Sequence, residues 1–200
     1  MSDPAEVELR AFVAEGKLEL AAARAIEQYG SELLGFLHAR ARNDDLAAEA
    51  FSVTCEQLWR RFASFRWEAS LRTWLYCLAR NALVTLQRDP RRDPARNLPL
   101  SVLSSIEAVR RQSTEPYQRT ETKQALRDLR DSLPAEDHEL LLLRIDRRMS
   151  WKDIARTLAE DEPTDSVLTS RAAALRKRYE RLKEQLRELA IERGILDDVQ

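Results

Sequence analysis

The amino-acid sequence predicts an all-α protein with two small helical domains joined by a flexible linker. Apolar residues recur at steps of three and four over long stretches, as they do in amphipathic helices. Hydrophobic residues make up 44% of the 200 residues and there are only 4 glycines, a composition typical of a globular, helix-rich protein. Residues 91–121 show little of this periodicity and contain Pro94, Pro99 and Pro116, so they are predicted to be the linker, with at most a turn of helix over residues 98–109.

The first predicted domain spans residues 21–90 and follows an N-terminal extension, residues 1–20. The extension mixes acidic and apolar residues in a way that suits a short helix. One helix is predicted over about residues 20–42, and a second over about residues 45–61. Asn43 stands between them, where its side chain can cap the second helix.

The strongest helical pattern in the chain covers residues 70–88. Ser70 stands at the expected N-cap, and Pro90 lies just beyond the C-terminal end. Trp74 and Tyr76 are expected to be core residues, because aromatic side chains at helical spacing usually are. The apolar stripe of this helix contains Leu71, Trp74, Leu75, Leu78, Ala82, Leu83 and Leu86.

The second predicted domain spans residues 122–194 and leaves a short tail, residues 195–200. Pro134 suits the first turn of a helix that continues to about Arg148. The apolar residues of this helix recur at helical spacing. They include Leu140, Leu141, Leu143 and Ile145.

Two further helices complete this domain. Ser150 is predicted to cap the first of them, with Asp153 at the spacing of a capping box. After residues 159–166, a long basic helix is predicted over about residues 167–193, and Gly194 ends it. Helices in this order, the last of them basic, are the arrangement of a helix-turn-helix DNA-binding domain.

The net charge of -1 conceals two strongly basic segments. Residues 59–92 contain eight arginines but only Glu68 and Asp89 as acids. Residues 168–183 contain six basic residues and only Glu180 as an acid. Because the rest of the chain is acidic, these segments predict two separate surfaces for an anionic partner such as nucleic acid.

Two local features each have two interpretations. Asp44, Asp45 and Glu49 either complement the positive end of a helix dipole or form a protein-docking face. Phe65 and Trp67 lie in the connection before Ser70, where they either pack back onto the helices or stack on an unpaired base.

Several function classes find no support in the sequence. Cys55 and Cys77 lack CxxC spacing, and His38 and His138 have no companion ligands, so no metal site, disulfide or cofactor is expected. The sequence shows neither a recognisable catalytic nucleophile nor a phosphate-binding loop, so it does not predict an enzyme. The N-terminus does not resemble a signal peptide, and no run of residues is apolar enough to cross a bilayer, so a cytoplasmic protein without membrane contact is expected.

The motifs DLAAEAF (residues 45–51) and SFRWEASLRTWLYCLARN (residues 64–81) resemble the second conserved region of bacterial sigma factors of the extracytoplasmic-function (ECF) family. In the second domain, Leu133 and Pro134, then the segment MSWKDIARTL (residues 149–158), resemble the fourth conserved region of that family. This resemblance implies a two-domain sigma factor that binds core RNA polymerase, directs it to promoters and assists promoter melting.

The resemblance also implies roles for individual residues. Residues implied to dock on the clamp helices of the largest polymerase subunit are Asp44, Asp45, Leu46 and Glu49. Residues implied to bind the minus-ten promoter element are Phe65, Arg66, Trp67, Arg72, Arg80, Asn81 and Arg88. Residues implied to bind the minus-thirty-five element are Lys152, Ser170, Arg171, Arg176, Lys177 and Arg178.

Within these sets, Asn81 and Arg171 are expected to read base edges. Phe65, Arg66 and Trp67 are expected to form or border the pocket for a base flipped out of the minus-ten element. The residues expected to hold phosphates are Arg72, Arg80, Arg88, Arg176, Lys177 and Arg178. The family also implies contact between the second domain and the polymerase flap, and it allows an anti-sigma factor as a partner. Residues 159–166 depart from the family, since they form a longer and more acidic turn. Two alternatives remain: a helix-turn-helix transcriptional regulator, and a sigma-like adaptor without promoter-opening activity.

Overall fold

The computed structural model describes residues 4–88, 99–112 and 128–195. Over these ranges the chain folds into helices joined by turns and contains no strand, which confirms the all-α prediction. The chain divides into two compact units, residues 1–115 and residues 116–200.

Helix α2 (Leu18–Ala41) is the centre of the first unit and packs against each of its other described helices. A short 3-10 turn, Phe62–Ser64, follows the third helix. The helices are α1 (Pro4–Ala14), α2 (Leu18–Ala41), α3 (Asp44–Arg61), α4 (Leu71–Arg88) and α5 (Leu100–Gln112).

Local sequence signals place the helix ends as predicted. The Asn43 side chain accepts a hydrogen bond from the Leu46 amide at 2.9 Å, which caps α3. The Ser70 hydroxyl accepts one from the Thr73 amide at 3.1 Å, which caps α4. The predicted apolar stripe of α4 is buried apart from Trp74, which is half-buried.

Large aromatic side chains fill the core of this unit. Phe36, Phe51, Phe62 and Tyr76 are fully buried. The rings of Phe36 on α2 and Tyr76 on α4 meet edge to face, with centroids 5.2 Å apart. Tyr76 is therefore a core residue, as predicted.

Helix α5 corrects part of the linker prediction. Residues 91–121 were expected to be a linker with at most a short helical turn, but α5 is a helix of 13 residues that packs on α2 and α3. Its Val102, Ile106 and Val109, spaced by four and three residues, are buried. Apolar burial thus makes this stretch part of the first unit, while residues 91–98 and 113–121 lie outside the described residues.

Gly30 permits the close approach of α2 and α5. A Cβ atom at this position would lie 2.8 Å from a Val109 methyl group and 3.3 Å from the Phe51 ring. We expect Gly30→Leu to lower the free energy of unfolding by about 1–3 kcal/mol, because the extra atoms overpack the interface. Urea unfolding measures this change, and Ser31→Leu at the exposed neighbouring position is the control. Equal stabilities of the two variants would contradict the packing of α5 on α2.

Within the described residues 128–195, the second unit contains the helices α6 (Ala135–Leu141), α7 (Trp151–Thr157) and α8 (Asp165–Glu192). Residues 128–131 are also helical. The Ser150 hydroxyl accepts a hydrogen bond from the Asp153 amide at 3.2 Å, which confirms the predicted cap of α7. Beyond the end of α8, Gly194 adopts a φ of 66°, a left-handed conformation that suits glycine after a helix.

A π-helical segment, Leu142–Asp146, continues α6 and changes the expected burial. Leu140, Leu141 and Leu143 are buried as predicted, but Ile145 is 41% exposed. A π-helical turn holds more residues than an α-helical turn, so it rotates the following side chains away from the α-helical stripe.

The described helices include none that is both long and apolar enough to cross a membrane. Within the same ranges, no cluster of histidine, cysteine, aspartate and glutamate side chains could hold a metal ion. Cys55 is buried, and burial raises the pKa of its thiol, which keeps this side chain protonated. Cys77 is half-buried.

Candidate nucleic-acid interface

The predicted docking residues lie on the first two turns of α3. Asp44 and Asp45 are exposed in the first turn, next to the Asn43 cap. Leu46 and Glu49 are half-buried. The helix thus presents two carboxylates to solvent beside a partly covered apolar side chain, an arrangement that suits either interpretation of these acids.

An aromatic cluster joins the loop before α4 to the start of that helix. Phe65 stacks on Trp74 with ring centroids 4.5 Å apart and planes inclined by 17°. The centroid of the Trp67 ring lies 4.7 Å from that of Phe65 and 6.2 Å from that of Phe62. Phe65, Trp67 and Trp74 are all half-buried, so the cluster keeps exposed aromatic surface.

This geometry is compatible with both interpretations of the loop. The aromatic side chains do pack back onto the helices, because Phe65 covers Trp74 and Trp67 approaches the buried Phe62. They also remain partly exposed, so they can offer a ring face to a further partner. Trp74 was expected to be core, but it is half-buried and belongs to this cluster.

Trp67 has an unusual backbone conformation. Its φ of 59° lies in the left-handed region, which non-glycine residues adopt rarely and at a cost of roughly 1–2 kcal/mol. The guanidinium carbon of Arg10, on α1, lies 4.6 Å from the centre of the Trp67 ring. Sequence reasoning did not identify Arg10, because nothing local in residues 1–20 points to the loop.

The predicted minus-ten residues of α4 fall on different sides of the helix. Asn81 and Arg88 are exposed, and because they are seven residues apart they share one face. Arg80 is half-buried. Arg66, in the preceding loop, is exposed and pairs with Glu68 at 3.3 Å.

Arg72 is bound within the unit. Its Nε and Nη2 atoms donate hydrogen bonds to the two carboxylate oxygens of Glu32 on α2, at 2.8 and 2.9 Å. Burial alone would lower the pKa of Arg72, but the hydrogen bonds and charge of Glu32 raise it above its usual value. This bidentate pair joins α2 to α4, a role that the sequence did not indicate.

In the second unit, the predicted DNA-binding residues near the start of α8 differ in exposure. Ser170, Arg171, Arg176 and Lys177 are exposed. Arg178 is half-buried, and its Nε and Nη1 atoms donate to Asp137 at 2.6 Å and to Glu136 at 2.9 Å. The hydrogen bond to Asp137 raises the pKa of Arg178, and the hydrogen bond to Glu136 raises it further, while partial burial acts in the opposite direction.

Lys152 and Trp151 connect α7 to α8. The Lys152 ammonium lies 2.5 Å from an Asp165 carboxylate oxygen, so this ion pair links the first turns of the two helices. The Trp151 ring meets Tyr179 edge to face at 5.3 Å, and the Arg144 guanidinium lies 4.5 Å from the centre of the Trp151 ring. These contacts set the position of α8 across the long turn between the helices.

Comparison with protein families gives one assignment. Residues 25–93 match the family Sigma-70 region 2. The matched stretch contains α3, the aromatic cluster and α4, as well as most of α2. It supports a sigma factor role, with binding to RNA polymerase and to promoter DNA.

The rest of the chain lies outside this match. Helix α1, helix α5 and the whole second unit are not part of residues 25–93. The comparisons with curated proteins and with solved structures found no match. The fourth-region resemblance of the second unit therefore stays a prediction.

Proposed function

We propose that this chain is an alternative sigma factor of the compact, two-domain ECF type. It binds core RNA polymerase, directs it to specific promoters and assists the opening of the duplex, while the polymerase performs the chemistry. The observation that carries this proposal is the match of residues 25–93 to Sigma-70 region 2, because the matched stretch includes the half-buried aromatic cluster.

The aromatic cluster supports capture of an unpaired base from the minus-ten element. Taking a base out of the stack costs a few kcal/mol, and stacking on an aromatic side chain returns about 1–3 kcal/mol per base. Phe65 is already held by its stack with Trp74, so its ring loses little freedom when a base binds. Trp67 provides the second partly exposed ring of the site.

Helix α4 supplies polar contacts beside this cluster. Asn81 can form paired hydrogen bonds with a base edge, and Arg88 on the same face can hold a phosphate. Arg72 is engaged by Glu32, so its main contribution is to hold α4 against α2. Promoter specificity in this unit therefore depends chiefly on Asn81 and the aromatic rings.

The second unit is proposed to bind the minus-thirty-five element through α8. Arg171 and Ser170 are exposed near the start of this helix, where side chains of a recognition helix reach base edges. Arg176 and Lys177 are exposed one to two turns later and suit phosphate contacts. The same unit is proposed to contact the polymerase flap.

The α3 carboxylates are proposed to dock on the basic clamp helices of polymerase. We expect Asp45→Lys to weaken binding to core polymerase about tenfold at low salt, because it replaces attraction by repulsion at the edge of the contact. The difference should shrink as salt screens the charges. Titration of a labelled chain with core polymerase at two salt concentrations measures both effects.

Glu8→Lys is the matched control for this prediction. It makes the same change of charge at an exposed residue of α1, outside the docking face. If Glu8→Lys weakens binding as much as Asp45→Lys does, the effect comes from net charge, and the docking assignment is wrong.

Transcription from a fragmented bacterial genome tests the function as a whole. Core polymerase is incubated with the fragments with and without the purified chain, and the transcript start sites are mapped. New discrete start sites that require the chain would support the sigma factor proposal. Binding to core without new start sites would favour the adaptor, and binding to duplex DNA without binding to core would favour the transcriptional regulator.

A further inference from the structure

We propose that Arg10 on helix α1 is a positioning residue that holds the Trp67 ring in place for an unpaired base. This inference rests on the proposed function, since it assumes that the aromatic loop captures such a base. It assigns a role in promoter opening to a helix that lies outside the family match of residues 25–93.

Helix α1 is anchored to the first unit. Leu9 is 2% exposed and Glu6 is 8% exposed, and α1 packs against α2. The turn that joins the two helices contains Gly16 with a φ of 73°, and the Lys17 amide donates to the Phe12 carbonyl at 2.9 Å. Arg10 therefore projects from a fixed helix.

The Arg10 side chain is directed toward the aromatic loop. Its Nη2 atom lies 3.7 Å from a carboxylate oxygen of the nearly buried Glu6, one helical turn earlier. Its guanidinium carbon lies 4.6 Å from the centre of the Trp67 ring, within the range of a cation–π interaction. The guanidinium thus links the buried side of α1 to the loop.

Trp67 depends on its neighbours for its conformation. A non-glycine residue with a φ of 59° keeps that geometry only when surrounding groups hold it. The residues that contact the ring include Phe65 and Phe62, which belong to the loop itself and to the 3-10 turn before it. Phe62 is fully buried, so it connects one part of the ring to the core. Arg10 adds a contact from a separate helix, α1.

The test is a double-mutant cycle on binding of single-stranded DNA. The variants are Arg10→Ala, Trp67→Ala and the two combined, each in complex with core polymerase. The probes are a fluorescent random-sequence 12-mer and a chain of the same length that carries abasic nucleotides, with binding by core alone subtracted. The ratio of the two affinities reports base stacking and is insensitive to contacts with phosphates.

We expect Arg10→Ala to lower this ratio about 2- to 5-fold, the effect of losing one exposed cation–π contact. Arg10→Lys should retain most of the ratio, because it keeps the positive charge. The combined variant should match Trp67→Ala alone, since Arg10 acts through that ring. Arg24→Ala, at an exposed arginine of α2, is the control and should leave the ratio unchanged.

Three results would overturn the inference. One is an unchanged ratio in Arg10→Ala, and another is an equal further loss when Arg10→Ala is added to Trp67→Ala, which would indicate direct contact with DNA. The third is a wild-type complex that binds the base-bearing and abasic chains equally. That last result would also contradict the proposal that the loop captures a base. The sigma factor function is tested separately by the genome transcription experiment.

Discussion

Replacing Trp67 with alanine should leave the polymerase complex able to bind promoter DNA but strongly impaired in opening it. The substitution removes a half-buried ring that offers a stacking surface to an unpaired base. Loss of one base–aromatic stack is worth about 1–3 kcal/mol, which corresponds to a decrease of about 5- to 150-fold in the opening equilibrium. Permanganate reactivity of unpaired thymines at a mapped promoter measures this decrease.

A promoter template with a pre-opened minus-ten segment distinguishes a defect in DNA melting from a defect in protein folding. Transcription from it should recover part of the loss in Trp67→Ala, because the cost of unpairing has been removed. Trp59→Ala is the matched control, since Trp59 is also half-buried in the first unit but lies outside the aromatic cluster. Equal opening defects in the two variants would point to loss of folded structure and count against base capture.

The second large effect is expected at Arg171. Arg171→Ala should relax selectivity at the minus-thirty-five element by about 1–3 kcal/mol per contacted base pair, because an exposed arginine on α8, the proposed recognition helix, can form two hydrogen bonds with guanine. Binding of the polymerase complex to a panel of promoters with single substitutions in that element measures the loss. Salt dependence of binding should change little, since few phosphate contacts are removed.

Arg178→Ala makes a structurally informed comparison. From sequence alone this residue was expected to hold a phosphate, but its guanidinium is paired with Asp137 and Glu136 on α6. We now expect the substitution to lower the unfolding free energy of the second unit by about 0.5–1 kcal/mol, a small value because the pair is partly exposed and screened. If Arg178→Ala and Arg171→Ala change promoter selectivity alike, the division between the two arginines is wrong.

The local features of the first unit were accessible from sequence because they depend on residues close together in the chain. The caps formed by Asn43 and Ser70 each involve an amide three residues later. The buried stripe of α4 follows directly from helical periodicity. The motif in residues 45–81 likewise predicted the family match over residues 25–93.

Features that depend on distant partners were missed or misassigned. The residues of helix α5 were expected to belong to the linker. Their apolar pattern is short, and the surface of α2 at Gly30 that buries it is formed only when the chain folds. Trp74 was assigned to the core because its spacing fits the apolar stripe, but the neighbouring Phe65 ring places it in the partly exposed cluster.

The sequence by itself determined the helical class, the helix ends and the stretch that matches Sigma-70 region 2, because each of these depends on local propensity, capping or a continuous motif. Only the tertiary structure decided which arginines are available to DNA. Arg72 and Arg178 are bound by carboxylates 40 and 41 residues away, and Arg10 reaches Trp67 from another helix. A basic segment of the sequence shows only where positive charge lies along the chain. Whether each guanidinium is free to contact DNA depends on the partners that folding brings next to it.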